Sequence, residues 1–190
     1  MLGLFDTDSL PDGFEYQAEF ISKDEERELA DAIGHVEFST FEMRGVVARR
    51  RVAFFGESYN QAPAIAIPDF LEPLRLKAAR WAGVEPDAFA MALINEYTPG
   101  ATIGWHRDAP QYDIIAGVSL LSACRMKLRP YVPPADLRGP TRATPRKTTH
   151  EITLAPRSGY LMKGVARSGF EHSIPATKNL RYSITFRTLR

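Results

Sequence analysis

The sequence predicts a mostly β (α+β) fold, a closed or sandwiched architecture such as a jelly roll with two supporting helices near its N-terminus. Three observations predict it. Helix signals are confined to the first half of the chain; from Phe89 onward short stretches of strand-forming residues follow one another; and turn signals stand between most of them.

The first helix is opened by Ser22-Lys23-Asp24-Glu25, a capping box in which a serine and a glutamate three residues on satisfy each other's free amides, and it runs to Gly34. The second opens at Asp69-Phe70-Leu71-Glu72. Its apolar face is Leu71, Leu74, Ala78 and Trp81, and Gly83 stops it. Between the helices, residues 46–55 are β-branched and aromatic enough for a strand. Later strands are expected at 90–97, 114–121, 123–129, 148–154, 159–163, 170–174 and 181–189. Turns are marked by Pro99-Gly100, Ala109-Pro110, the stretch 156–159 and Pro175. Residues 130–149, rich in proline, threonine and arginine with no periodic apolar face, read as a long exposed loop.

At 190 residues, 44% hydrophobic and 25% charged, the chain is of ordinary globular composition and needs one domain only. The formal charge of +1 hides an asymmetry. The N-terminal stretch is acidic (Asp6, Asp8, Asp12, Glu15, Glu19 and Asp24 among others), whereas 44–51 and 125–147 are basic. One cysteine, Cys124, can form no internal disulfide, which fits a reducing compartment; it reads as a small core residue. The N-terminus has neither a basic segment nor a continuous apolar run, and no stretch approaches the roughly 18 apolar residues of a membrane span. The expected location is cytoplasmic, with no membrane association.

His106-Arg107-Asp108 offers an imidazole and a carboxylate two residues apart, so an extended chain presents both to one ion. His172, on a later strand, supplies a second imidazole. Two histidines and one carboxylate leave three metal positions open, as iron(II) needs to bind a bidentate cosubstrate and oxygen. His35-Val36-Glu37 has ligand types at the same spacing, but it follows a helix end and reads as a solvated turn; His150 reads as a strand residue facing solvent. In 181–187, alternation puts Arg181, Ser183, Thr185 and Arg187 on one face and Tyr182, Ile184 and Phe186 on the other. Within a closed barrel that polar face points inward. Two inward arginines then require anions, and a dicarboxylate supplies them in the planar geometry guanidinium groups grip.

The ordered set Asn95-x-Tyr97, His106-x-Asp108, His172 and Arg181-x-Ser183-x-Thr185-Phe186-Arg187 resembles the AlkB family of 2-oxoglutarate/iron(II) dioxygenases. The match runs from about Ala90 to Arg190. It implies a double-stranded β-helix core at 89–190 within a single domain 1–190, with 1–88 an N-terminal extension of helices and nucleotide-recognition lid. It also implies that Fe(II), O2 and 2-oxoglutarate are consumed, with succinate, carbon dioxide and hydroxylation of an N-alkyl carbon as the outcome. By position, His106, Asp108 and His172 would ligate iron. Arg181, assisted by Tyr97, would hold the far carboxylate of 2-oxoglutarate, with Asn95, Ser183 and Arg187 completing the cosubstrate site. Ser183 stands where the family often has asparagine. Pro110 stands where well-studied DNA-repair members carry an acidic base-reading residue.

The expected substrate is single-stranded DNA or RNA carrying alkylated bases, bound by a monomer. Arg49, Arg50 and Arg51 would meet its backbone, Phe55 and Tyr59 would stack on a flipped base, and Trp105 would line the pocket. Of Phe54 and Phe55, one is expected in the core. The same chemistry on a modified tRNA or on a protein side chain, or a catalytically silent binding module, are the alternative readings.

Overall fold

In a computed structural model, residues 10–43, 46–57, 64–133 and 149–190 are described. Tyr59 and most of the basic loop, including Arg138, Arg142, Arg146 and Lys147, lie outside the described residues.

The chain forms two antiparallel sheets with helices against one of them. In chain order the elements are β1 (Phe14–Gln17), α1 (Lys23–Ile33), β2 (Ser39–Met43), β3 (Val46–Gly56), α2 (Glu72–Ala82), β4 (Met91–Tyr97), β5 (Ile103–His106), β6 (Tyr112–Leu120), β7 (Cys124–Pro130), β8 (His150–Leu154), β9 (Gly159–Met162), α3 (Gly164–Ser168), β10 (Phe170–Ile174) and β11 (Arg181–Leu189). The larger sheet has the order β1-β9-β6-β11-β4-β3-β2, and the smaller one β5-β10-β7-β8. This is the jelly-roll layout expected from the sequence.

Both expected helices form. Ser22 Oγ accepts from the Glu25 amide while the Glu25 carboxylate accepts from the Ser22 amide, completing the capping box. Gly83 ends α2 at φ 72°, a left-handed conformation that favours glycine. The helices cover the outer face of the larger sheet, where Ile33, Leu71, Leu74 and Ala78 pack on Ile94, Val118, Ile184 and Phe186. A second apolar cluster, with Met126, Leu128, Ile115, Tyr160 and Ile174, fills the space between the sheets.

Period-2 alternation decides which side chains enter that space. On β11, Tyr182, Ile184 and Phe186 face the helices, so Arg181, Ser183, Thr185 and Arg187 are driven between the sheets, and all four are buried. The polar row of the last strand is thus internal, as expected. The register Ser183↔Asn95, Arg181↔Tyr97 sets Asn95 and Tyr97 of β4 alongside this row.

Several elements carry no clear sequence signal. Strands β1, β2 and β5 and helix α3 are short, at four or five residues each, and too brief to show a period. His150 is not solvent-facing as expected: it is partly buried, with its ring 5.8 Å from that of Phe170.

Gly117 of β6 sits opposite Tyr160, and a Cβ there would stand 2.3 Å from the Tyr160 ring. The ring fills the inter-sheet space and cannot retreat without disturbing it. Gly117→Ala should therefore lower the unfolding free energy by about 1–3 kcal/mol in a denaturant titration. An unchanged midpoint would show that the ring has room to move.

Candidate metal centre and cosubstrate cavity

A cavity of about 630 Å³ opens between the sheets, and its wall contains His106, Asp108 and His172. One ligand atom from each of the three lies within 4.8 Å of the others, and His172 Nε2 is 3.8 Å from Asp108 Oδ2. The convergence has a local cause. His172 pairs with His106, yet Ile174 pairs with Ile103, so β5 carries one extra residue between these points. That bulge turns both Ile103 and His106 toward the cavity, although strict alternation would separate them.

The same irregularity moves Trp105 away. It does not line the cavity, contrary to expectation, but lies beneath the Arg129 guanidinium, 4.1 Å from the ring centre, and Arg129 also pairs with Glu171.

The three donors are prepared for a cation. His106 Nδ1 lies 2.9 Å from the Gly104 carbonyl oxygen; a proton held there leaves Nε2 bare for a metal. Burial, reinforced by the neighbouring His106, pushes the His172 imidazole down to about 3, so it is neutral at physiological pH. Burial alone would raise the Asp108 carboxyl. The Arg187 guanidinium, with the two histidines, outweighs it and holds the group well below the usual carboxylate range. Arg187 Nη2 donates to Asp108 Oδ1 at 2.9 Å, leaving Oδ2 toward His172.

Arg167, from α3, fixes the same residue through its backbone. Its Nη2 donates to the carbonyls of Asp108 and Ala109 at 3.2 and 2.6 Å, and the side chain is buried. Sequence reading missed it. An arginine on a five-residue helix in front of His172 carries no pattern that separates it from surface charge.

Arg181, on the inter-sheet face of β11, is fully buried and is not among the residues that line the cavity. Its Nε donates to Ser119 Oγ at 2.9 Å and its guanidinium lies 4.9 Å from the Tyr97 ring centre. Its Nη1 is buried and makes no hydrogen bond among the described residues. A buried guanidinium with an unused donor is a built anion site, and it fits the remote carboxylate of a dicarboxylate. Ser119 was not singled out in the sequence, because its role appears only once β6 is paired with β11.

The arginine–aromatic strand β3 is split by its own alternation. Arg50, Val52 and Phe54 line the cavity, while Arg51, Ala53 and Phe55 face outward. Arg50 Nε donates to Asn95 Oδ1 at 3.1 Å. Arg51 makes a two-pronged pair with Glu96 at 2.7 and 3.0 Å, and Arg49 is exposed beside Gly100. Phe55 packs against the helix-side core; Phe54, which is 39% exposed, is the phenylalanine that faces the cavity. The one-residue phase was the unreadable part. In the sequence, Phe54-Phe55 offers either choice.

A jelly roll holding a two-histidine, one-carboxylate group beside a buried anion site defines a mononuclear non-haem iron oxygenase. A sequence model of the 2OG-Fe(II) oxygenase superfamily matches residues 22–187, and the chain belongs to that superfamily. It is accordingly a dioxygenase that uses iron(II), O2 and 2-oxoglutarate. The chain is 27% identical to uncharacterized protein L905 of Acanthamoeba polyphaga mimivirus, covering 93% of this chain and 85% of that one. Among solved structures, OsALKBH1 superposes with a TM-score of 0.67 at 13% identity, over 94% of this chain and 99% of that one. A Pseudomonas putida prolyl-4-hydroxylase superposes with a TM-score of 0.59 at 15% identity, over 94% and 93%. The fold is AlkB-like.

The residues fit the group the superfamily implies. His106, Asp108 and His172 would hold iron(II), and Arg181 would hold 2-oxoglutarate. Arg181→Lys keeps the charge but loses the planar fork, so half-saturation with 2-oxoglutarate should need about tenfold more of it. A titration of the metal-loaded protein that gives the parent value would place the carboxylate elsewhere.

Proposed function

We propose that this single-domain chain is an oxidative N-dealkylase acting on alkylated bases of single-stranded nucleic acid, with His106, Asp108 and His172 as its iron ligands. One observation carries the reading. Strand β3 sets Arg50 and Phe54 in the wall of the same cavity as the metal ligands, so a cation for backbone phosphate and a ring for base stacking sit beside the reacting position. The likeness in fold to OsALKBH1, whose name marks it as an AlkB homologue, is in keeping with it.

Iron(II) with O2 and 2-oxoglutarate supplies the oxidant that inserts oxygen into a C–H bond, releasing succinate and carbon dioxide. The chain's own residues do the rest. Arg181 would orient 2-oxoglutarate by its remote end, with Tyr97 and Ser119 around it and Asn95, Ser183 and Arg187 nearer the metal. Arg187 and Arg167 keep Asp108 ionised and in place. A hydroxylated N-alkyl carbon then separates as an aldehyde, returning the N–H of the base. Since the target must leave its stack to reach a cavity between two sheets, a single strand makes the extrusion least costly.

Succinate release on methylated single-stranded DNA and RNA, set against proline-containing peptides, tests the assignment. Phe54→Ala should lower kcat/KM on a methylated oligonucleotide by about tenfold, the order expected for losing one stacked ring. Parental kcat/KM in that variant would remove Phe54 from base recognition. Turnover confined to peptides would replace the nucleic-acid reading with a protein substrate.

A further inference from the structure

We propose that Ser119 is a positioning residue for 2-oxoglutarate: its hydroxyl engages Nε of Arg181 and so aims the terminal end of the guanidinium, with the unused Nη1, at the remote carboxylate. This role rests on reading Arg181 as the group that holds that carboxylate, and it names the residue that decides how the grip is made.

An arginine without a fixed partner is a poor anion site. Its side chain has several rotatable bonds, and its guanidinium can offer a carboxylate either of two forked edges, one that includes Nε and one made of the two terminal nitrogens. Order has to come from an acceptor outside the ligand, and Ser119 supplies it. The hydroxyl accepts from Arg181 Nε at 2.9 Å, and both residues are completely buried. With Nε committed, the edge that contains it is closed. The terminal end remains, where Nη1 is buried and makes no hydrogen bond among the described residues.

The acceptor is itself held in place. Ser119 lies on β6, between β9 and β11, and pairs with Ser183. Arg181 is two residues from Ser183, which makes it a diagonal neighbour of Ser119 on the same face, within reach of a long side chain. The Ser119 amide donates to the Ser158 carbonyl at 3.0 Å, and its carbonyl accepts from the Arg157 amide at 2.7 Å. Arg157 is in turn paired with Glu19 and with Glu26 of α1, so the turn that braces Ser119 is tied to the helix layer.

Charge explains why a hydroxyl rather than an acid suits this position. A carboxylate would orient Arg181 equally well but would also neutralise it, and the cosubstrate would meet an ion pair already made. Two other groups that feel Arg181 are kept neutral as well. Burial pushes the Tyr97 phenol up and the Cys124 thiol up, in both cases against the pull of Arg181. The cation is thus oriented without being cancelled. Tyr97, whose ring centre lies 4.9 Å from the guanidinium, also lines the cavity from which a cosubstrate would come.

The test compares two oxo acids on the manganese(II)-loaded full chain by calorimetry. One is 2-oxoglutarate; the other is 2-oxopentanoate, in which a methyl group replaces the remote carboxylate. Ser119→Ala should weaken 2-oxoglutarate about fivefold, the order expected when one long side chain must be ordered on binding, and leave 2-oxopentanoate at the parental value. With iron(II), the variant should need correspondingly more 2-oxoglutarate for half-saturation and still reach the parental limiting rate of succinate release. Equal weakening of both acids would be a general disturbance of the core and overturns the inference, as does parental affinity for 2-oxoglutarate in the variant. A parent that binds the two acids alike grips no remote carboxylate, and the reading of Arg181 then falls together with that of Ser119.

Discussion

The structure depends on burying the polar face of β11. A strand with Arg181 and Arg187 on one side and Tyr182, Ile184 and Phe186 on the other would ordinarily turn its arginines to water. Here the helices α1 and α2 cover the apolar side, and that choice forces two guanidiniums between the sheets. Full burial of side chains the size of Ile or Phe contributes about 1.5–3 kcal/mol each, whereas an uncompensated buried charge costs several. The apolar side cannot carry that cost alone, so the arginines must find anions. Arg187 finds one in Asp108. Among the described residues Arg181 has the Ser119 hydroxyl and the Tyr97 ring, with its Nη1 donor left over. A carboxylate brought to Arg181, as proposed for the cosubstrate, would relieve that deficit as it binds.

Asp108 shows how the same constraint shapes the metal group. Its carboxylate is held by Arg187 and its carbonyl by Arg167, two cations that lie on either side of His172 in the sequence. These contacts keep one carboxylate oxygen engaged and the other directed toward His172. A free carboxylate beside two imidazoles would sample many orientations and lose affinity for ordering them. The site is preorganised by the residues that the buried strand face demanded.

Much of this was legible because alternation and ligand chemistry are local. Both helices, eight of the described strands, the His106/Asp108 pair and the inward row of β11 follow from spacing within a few residues, whereas His172, on a later strand, was legible through the ordered motif of the family resemblance. What escaped depends on phase or on partners. Phe54 and Phe55 are equivalent until the register Phe54↔Leu93 fixes which one faces the cavity. Trp105 adjoins a ligand in sequence, but the bulge between the β5 and β10 pairings turns it to the other side. Arg51, inside a basic run, is consumed by Glu96. Ser119 and Arg167 act on residues 62 and 59 positions away, and no spacing rule reaches that far.

The division of labour across the cavity follows from where each wall sits in its sheet. Tyr97, Ser183 and Arg187 lie on β4 and β11, paired on both sides in the middle of the larger sheet, and their register cannot slip without exposing the apolar face under the helices. Arg50 and Phe54 lie on β3, with only β2 beyond them at the edge, and Gln111 lies in the turn before β6. Changes on the central strands would disturb the core and the proposed cosubstrate site together. Changes at the half-exposed Phe54, or in the turn, leave that register in place and would fall on whatever molecule enters the cavity. A fold built this way can keep one oxidation and admit different molecules to it. The physical reason is that the residues proposed to hold the cosubstrate are also the ones whose strands close the core.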